Sequence, residues 1–227
     1  MTRGEVCARI AEVGIIPAIR VSSADEAHFA AEAVHKGGIP IVEITLTVTG
    51  AIDLISHMVR YHPTMTIGAG TVLDVETARR CVEAGAHFIT SPGLDLKIAE
   101  FCAQQNVGIL PGALTPTEVI TAWKAGCDLV KVFPCAQVGG DRYIKVLKAP
   151  LPQIPLVAAG GVNQQTAGNF ILAGATAIGV GSELIPTEAI ERRQAERIRE
   201  LAVRFVGFVR DARERLAEQK ESLLARK

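Results

Sequence analysis

The stretch Trp123-Lys-Ala-Gly126-Cys-Asp-Leu129-Val-Lys131-Val-Phe133 closes a helix on a glycine and opens a strand a few residues later. The same form recurs in Val34-His-Lys-Gly37-Gly-Ile39, Val82-Glu-Ala-Gly85-Ala-His87 and Leu172-Ala-Gly174-Ala-Thr176. Glycine tolerates the left-handed conformation that ends a helix. Around these junctions, short β-branched runs at 15–21, 41–46, 66–71, 88–90, 107–110, 129–133, 156–159 and 177–180 read as strands. Segments of helical periodicity, such as 24–35, 51–61, 75–84 and 96–105, lie between them. Ser22-Ser23-Ala-Asp-Glu26, Asp74-Val-Glu76 and Thr115-Pro116-Thr-Glu118 place caps and acids at helix starts. Strands separated by helices imply a parallel sheet with right-handed crossovers. Doubly wound sheets usually have fewer strands, so the unit count favours an α/β fold of the (β/α)8 TIM-barrel type.

The whole chain, 1–227, is read as a single barrel domain. Residues 1–14 form an N-terminal helix, with Val6, Ile10 and Val13 on one face, placed to cover the bottom of the barrel. Residues 15–186 form the barrel core and 187–227 an extended C-terminal helical segment. In that segment Ile198, Leu201, Phe205, Phe208, Ala212 and Leu216 recur at helical spacing, so one face must pack on something. The barrel's own helices are the simpler partner and another subunit the sharper one. The last residues, 219–227, are expected to fray.

Composition narrows the function. The 227 residues carry 24 Lys and Arg against 24 Asp and Glu, so the formal net charge is zero. That balance gives no global drive toward nucleic acid. Aromatic residues are 4% of the chain, too few for base-stacking platforms. Five cysteines without a C-x-x-C pair fit free thiols in a reducing, cytoplasmic setting better than a disulfide frame. There is no apolar signal core at the start and no apolar run long enough to span a bilayer, so no membrane partner is expected. Residues 149–182 carry no charge, but Pro150, Pro152 and Pro155 break that stretch, which reads as core.

Alternation along two strands locates the chemistry. In a barrel, alternate strand residues point inward and function gathers at the C-terminal strand ends. On the sixth strand Val130 and Val132 suit the helix-facing side, which turns Leu129, Lys131 and Phe133 inward. On the second strand Val42, Ile44 and Leu46 face out, while Ile41, Glu43, Thr45 and Thr47 face in. A buried ammonium without a partner is costly. A Lys131–Glu43 ion pair would explain both residues without catalysis. Equally, the two could be an imine-forming amine beside a general acid/base. Spacing alone leaves these even.

Two glycine pairs add a third cue. Ala159-Gly160-Gly161-Val162 ends the seventh strand and Gly179-Val180-Gly181-Ser182 ends the eighth. Loops after these two strands commonly hold phosphate in barrels. Glycine lets backbone N–H groups approach the oxygens, and Ser182 adds a hydroxyl. Arg20 closes the first strand on the face of Ala18; it fits either a bidentate carboxylate contact or a rim salt bridge. Gly68-Ala-Gly70-Thr71 permits close approach of a ligand but lacks a dinucleotide fingerprint. The histidines (His28, His35, His57, His62, His87) show no metal-ligand pattern and are expected at the surface. Cys135 lies near the barrel mouth, with no histidine placed to activate it.

The chain resembles the 2-keto-3-deoxy-6-phosphogluconate (KDPG) and 4-hydroxy-2-oxoglutarate (KHG) aldolase family. The resemblance runs from Ile15-Ile-Pro-Ala-Ile-Arg20 to Gly179-Val-Gly-Ser-Glu-Leu-Ile185. It passes through Val42-Glu43-Ile-Thr-Leu46, Gly68-Ala-Gly-Thr-Val72, Ser91-Pro92-Gly93, Leu110-Pro111-Gly112, Lys131-Val-Phe133-Pro134 and Gly160-Gly161-Val162. It implies a class I, Schiff-base aldolase with Lys131 as the imine-forming residue and Glu43 as general acid/base. Arg20 and Thr71 would hold the pyruvate carboxylate. Pro92 and Phe133 would line the pocket, and Gly160, Gly161 and Ser182 would hold the phosphate. It also implies a small-molecule substrate, no cofactor and no metal beyond the covalent lysine imine, and a homotrimer. Many members carry Arg at the position of Thr47. Others carry Thr there with an Arg on the first strand, the pattern this chain follows with Arg20. Many members also have Pro-Thr where this chain has Ala158-Ala159, which leaves the sugar epimer open between the gluconate and galactonate forms, or KHG. The rival readings are another phosphate-binding barrel enzyme without an imine lysine, and a non-catalytic barrel that binds a sugar phosphate or a protein partner.

Overall fold

The computed structural model describes residues 1–224. The strands are β1 (Ile15–Ile19), β2 (Ile41–Thr45), β3 (Thr66–Gly70), β4 (Phe88–Thr90), β5 (Gly108–Leu110), β6 (Gly112–Ala113), β7 (Val130–Val132), β8 (Leu156–Ala159) and β9 (Ala177–Val180). They form one sheet in the order β5-β4-β3-β2-β1-β9-β8-β7-β6, with every pair parallel. The chain runs from β5 to β6 through Pro111 alone, which has no N–H to give to a ladder. The part before it pairs with β4 and the part after it with β7. The fifth strand is therefore one segment split at a proline, and it closes the ring of eight β/α units. The Lys131 N–H donates to Pro111 O at 2.9 Å and the Phe133 N–H to Ala113 O at 3.1 Å across that closure.

Ten α-helices surround the strands: α1 (Arg3–Val13), α2 (Ala24–Lys36), α3 (Ala51–Tyr61), α4 (Val75–Glu83), α5 (Leu96–Gln104), α6 (Pro116–Lys124), α7 (Asp141–Lys148), α8 (Ala167–Leu172), α9 (Thr187–Glu191) and α10 (Ala195–Leu224). The predicted starts are real caps. Ser23 accepts from the Glu26 N–H, Asp74 from the Thr77 N–H, and Thr115 forms a capping box with Glu118. Gly85, Gly126 and Gly174 take positive φ as the repeat requires. At the first junction Gly38 does so, with φ 93°, rather than Gly37. Gly37 is needed for packing instead, because a Cβ there would sit 2.7 Å from the Arg199 carbonyl oxygen on α10.

The core has two parts, as strand alternation demands. Outward residues such as Val42, Ile44, Val130 and Val132 join the large layer between strands and helices. Inward residues Ile16, Ile41, Phe88, Leu110, Leu129, Val157 and Ala177 form a smaller cluster inside the ring. Val6 and Ile10 of α1 complete it from below, so the N-terminal helix plugs the bottom. Arg3 fastens the plug through Asp128 at 2.7 Å, and Arg213 of α10 donates to Ala11 O at 2.6 Å.

The C-terminal helix packs on the barrel's own helices, mainly α2 and α8. Its buried seam is Ile198, Ala202, Phe205, Val209 and Ala212. Leu201, Phe208 and Leu216 are only partly covered at its edges. The helix continues to Leu224, so part of the stretch expected to fray is ordered, and 225–227 lie outside the described residues. No helix among the described residues is long and apolar enough to cross a membrane. Phe205 is fully buried under this helix. Phe205→Ala should cost about 3–5 kcal/mol, read as a lower midpoint in a denaturant melt.

Candidate active site

A cavity of about 490 Å3 opens among the residues at the C-terminal strand ends. Seven inward or strand-end residues define its chemistry: Arg20 after β1, Glu43 on β2, Thr90 on β4, Lys131 on β7, Gly160 and Gly161 after β8, and Ser182 after β9. Phe133 also lines it. The alternation read from sequence on the second and sixth strands is thus the alternation observed.

Glu43 is only 5% exposed. Among the described residues its carboxylate makes no hydrogen bond and no ion pair. Neither carboxylate oxygen is buried without a partner, so the group opens onto the cavity. Gly70 makes room for it, since a Cβ on Gly70 would sit 2.5 Å from Glu43 Cδ. Gly68 does the same for the inward ring of Phe88, whose Cε1 would lie 2.6 Å from such a Cβ. The glycines of β3 therefore clear space for neighbouring side chains, and the expectation that they admit a ligand is replaced by this packing role.

Lys131 is partly buried, with Nζ 3.5 Å from Thr90 Oγ1 and 5.6 Å from the centroid of the Phe133 ring. No Lys131–Glu43 salt bridge forms among the described residues, so the simple ion-pair reading loses its contact. Arg20 likewise has no carboxylate partner there, which leaves its guanidinium at the cavity rim unpaired by the chain. Thr90 has no distinguishing signal in the sequence beyond its place two residues after Phe88, the inward residue of the same short strand.

Gly160 and Gly161 have φ of 84° and 87°. Only glycine takes these values readily, and a Cβ on Gly161 would collide with the Ala136 side chain. Neither the Gly161 nor the Ser182 N–H donates to another backbone carbonyl among the described residues. Asn163 and Thr187 add polar groups to this end of the cavity; they stand beyond the quoted glycine pairs and carry no motif of their own.

Three expected site residues lie apart from the cavity lining. Thr47 is exposed and bonds Thr45 Oγ1 at 2.7 Å, while Thr45 also donates to Ile19 O at 2.9 Å. Thr71, with φ 62°, edges a separate depression with Leu46, Leu73 and Arg80. Pro92 is exposed, its carbonyl against Gly112. The cysteines are all free. Burial pushes the Cys135 thiol up to about 12, in keeping with a bystander. None of the histidines is buried, in keeping with the surface expectation; the expected lack of a metal-ligand pattern is corrected, because His28, His57 and His62 converge across two helices, and His87 is half-buried, its Nδ1 accepting from the Ile67 N–H at 2.9 Å.

The parallel barrel thus brings an inward lysine and an inward carboxylate without an ion-pair partner to one mouth cavity. The family model described as KDPG and KHG aldolase matches residues 6–201. The chain belongs to this family, a family of carbon–carbon lyases. It is 33% identical to the 2-dehydro-3-deoxy-phosphogluconate aldolase of Haemophilus influenzae over 161 residues, 71% of this chain and 76% of that one. It is 30% identical to the KHG/KDPG aldolase of Escherichia coli K12 over 189 residues, 83% of this chain and 88% of that one. Among solved structures, the KDPG aldolase of Legionella pneumophila, with pyruvate captured as a covalent carbinolamine, aligns with a TM-score of 0.81 at 30% identity. That alignment covers 87% of this chain and 96% of that one.

Gly70→Ala tests the packing claim. The variant should fold, and a crystal structure should show the Glu43 side chain swung out of its position above β3. An unmoved Glu43 would mean that the strand, not the carboxylate, yields.

Proposed function

We propose that this chain reversibly cleaves a 2-keto-3-deoxy-6-phospho sugar acid to pyruvate and glyceraldehyde 3-phosphate, through an imine on Lys131. The observation that carries the reading is Lys131 beside an unpartnered Glu43 in a single cavity. The covalent pyruvate adduct of the Legionella relative supports it.

The chemistry follows from those two groups. The Lys131 amine adds to the C2 ketone, and loss of water gives an iminium. Glu43, through a water, takes the proton of the C4 hydroxyl. The C3–C4 bond then breaks, its electron pair moves toward the iminium nitrogen, and the aldehyde leaves. The resulting enamine is protonated at C3 by the same acid, and hydrolysis releases pyruvate and frees the lysine. The iminium is the electron sink, so the step needs no metal ion. Thr90 is placed to steady the Lys131 amine before attack. Arg20 supplies the carboxylate contact from the rim. Gly160, Gly161 and Ser182 supply N–H and hydroxyl donors to the phosphate. Phe133 covers one side of the amine. Thr47, Thr71 and Pro92 are assigned to the substrate by the family resemblance.

Ala158-Ala159 stands where many members have Pro-Thr, which keeps the galactonate epimer and KHG as further substrates of the same site. The name of the Escherichia coli relative, KHG/KDPG aldolase, supports the second of these. The family resemblance supports a homotrimer, of about 72 kDa for a chain of 24.1 kDa, which light scattering would read directly. Free cysteines throughout support a reducing, cytoplasmic setting.

Incubation with pyruvate and borohydride should add one reduced adduct, which peptide mass spectrometry should locate on Lys131. An adduct elsewhere, or none, would remove the assignment. Turnover should be indifferent to chelator. Glu43→Gln should keep pyruvate binding and melt normally, while turnover falls about a hundredfold or more. A variant that is unstable instead would make Glu43 structural. Gly161→Val should raise KM for phosphorylated substrate more than for KHG, which has no phosphate. An equal effect on both would remove the phosphate role, and no effect would favour KHG as the natural substrate.

A further inference from the structure

On the outside of the barrel, away from the cavity, three imidazoles meet. His28 lies on α2, His57 on α3, and His62 on the residue that caps α3. One ring nitrogen of each lies within 4.8 Å of the other two. The His28 and His62 Nε2 atoms are 3.2 Å apart. In a tetrahedral zinc site with Zn–N of about 2.0–2.1 Å, two ligand nitrogens stand about 3.3 Å apart. The helix pair already holds two ligands at that spacing, and the third needs only a rotamer adjustment on an exposed side chain.

The His28 ring stands at 72° to that of His57 and 63° to that of His62, with centroids 5.7 and 5.2 Å apart. We propose that His28, His57 and His62 form a binding site for a late first-row divalent ion of the zinc or nickel class, clamping α2 to α3. Imidazole nitrogens suit these ions, and water would fill the fourth position at the exposed side of His57.

Glu32 lies one turn along α2 from His28 and pairs with Lys36 at 3.9 Å. A simple N–H···N hydrogen bond between His28 and His62 explains their contact, but it gives no reason for a third imidazole nitrogen to converge on the same point. None of the three histidines lines the catalytic cavity, so the site is independent of the proposed aldol chemistry.

The test uses the full chain without an affinity tag, stripped with chelator and titrated with Co2+, Ni2+ and Zn2+. One ion should bind per chain, and it should raise the melting temperature. The Co2+ spectrum should show nitrogen and oxygen ligation without a thiolate charge-transfer band, which separates the site from the cysteines. His57→Gln and His62→Gln should each weaken binding at least about tenfold, since the outer partners of a metal site alone carry about 10–100-fold. His35→Gln, on α2 but outside the cluster, should leave it unchanged. His57 is exposed, so its variant should fold, and a melt without metal checks that it does. No stoichiometric binding at micromolar metal, a thiolate band, or equal affinity in the His57→Gln, His62→Gln double variant would each overturn the proposal.

Discussion

A ring of parallel strands must fill its own interior, and this constraint places every group that matters. Inward positions alternate with outward ones, so whatever the sequence sets between Val130 and Val132 is committed to the inside. Below, the interior is satisfied by apolar side chains and the plug from α1. Above, it is left to Lys131, Glu43 and Thr90. A lysine and a glutamate there make no ion pair with one another among the described residues, so each is available to a group that enters the cavity.

The same constraint explains the glycines. Gly70 carries no side chain because Glu43 occupies that space from the neighbouring strand. Gly68 yields to Phe88 in the same way. Gly160 and Gly161 are restricted twice: by their positive φ, and by the bulk of Pro134 and Ala136 where a Cβ would stand. One glycine-rich stretch therefore serves packing, and the other shapes a turn at the cavity wall. Both have the same appearance in sequence, where composition does not distinguish a vacated volume from a left-handed turn.

Much of the barrel is legible because local rules determine it. Helix caps at Ser23, Asp74 and Thr115, glycines past helix ends, and β-branched runs of strand length are each read within a few residues. The inward turn of Lys131 and Glu43 follows from a period of two. What local rules do not give is register between elements that are distant in the chain. The exchange of partners at Pro111 depends on how the ring closes. Gly37 and Gly38 divide their roles according to where α10 lies. The meeting of His28 with His57 and His62 depends on the offset between two helices, which no spacing within either one reveals. Thr47, Thr71 and Pro92 follow the ends of β2, β3 and β4 but lie beside the cavity, because position along a strand does not fix how far the loop after it leans over the mouth.

The central claim is that Lys131 and Glu43 together make and protonate an enamine. Exchange of the pyruvate methyl protons in deuterium oxide reads that step without any aldehyde or phosphate. The wild-type chain should incorporate deuterium, Lys131→Met should not, and Glu43→Gln should do so far more slowly while still forming the imine. Exchange that persists in Lys131→Met would contradict the account.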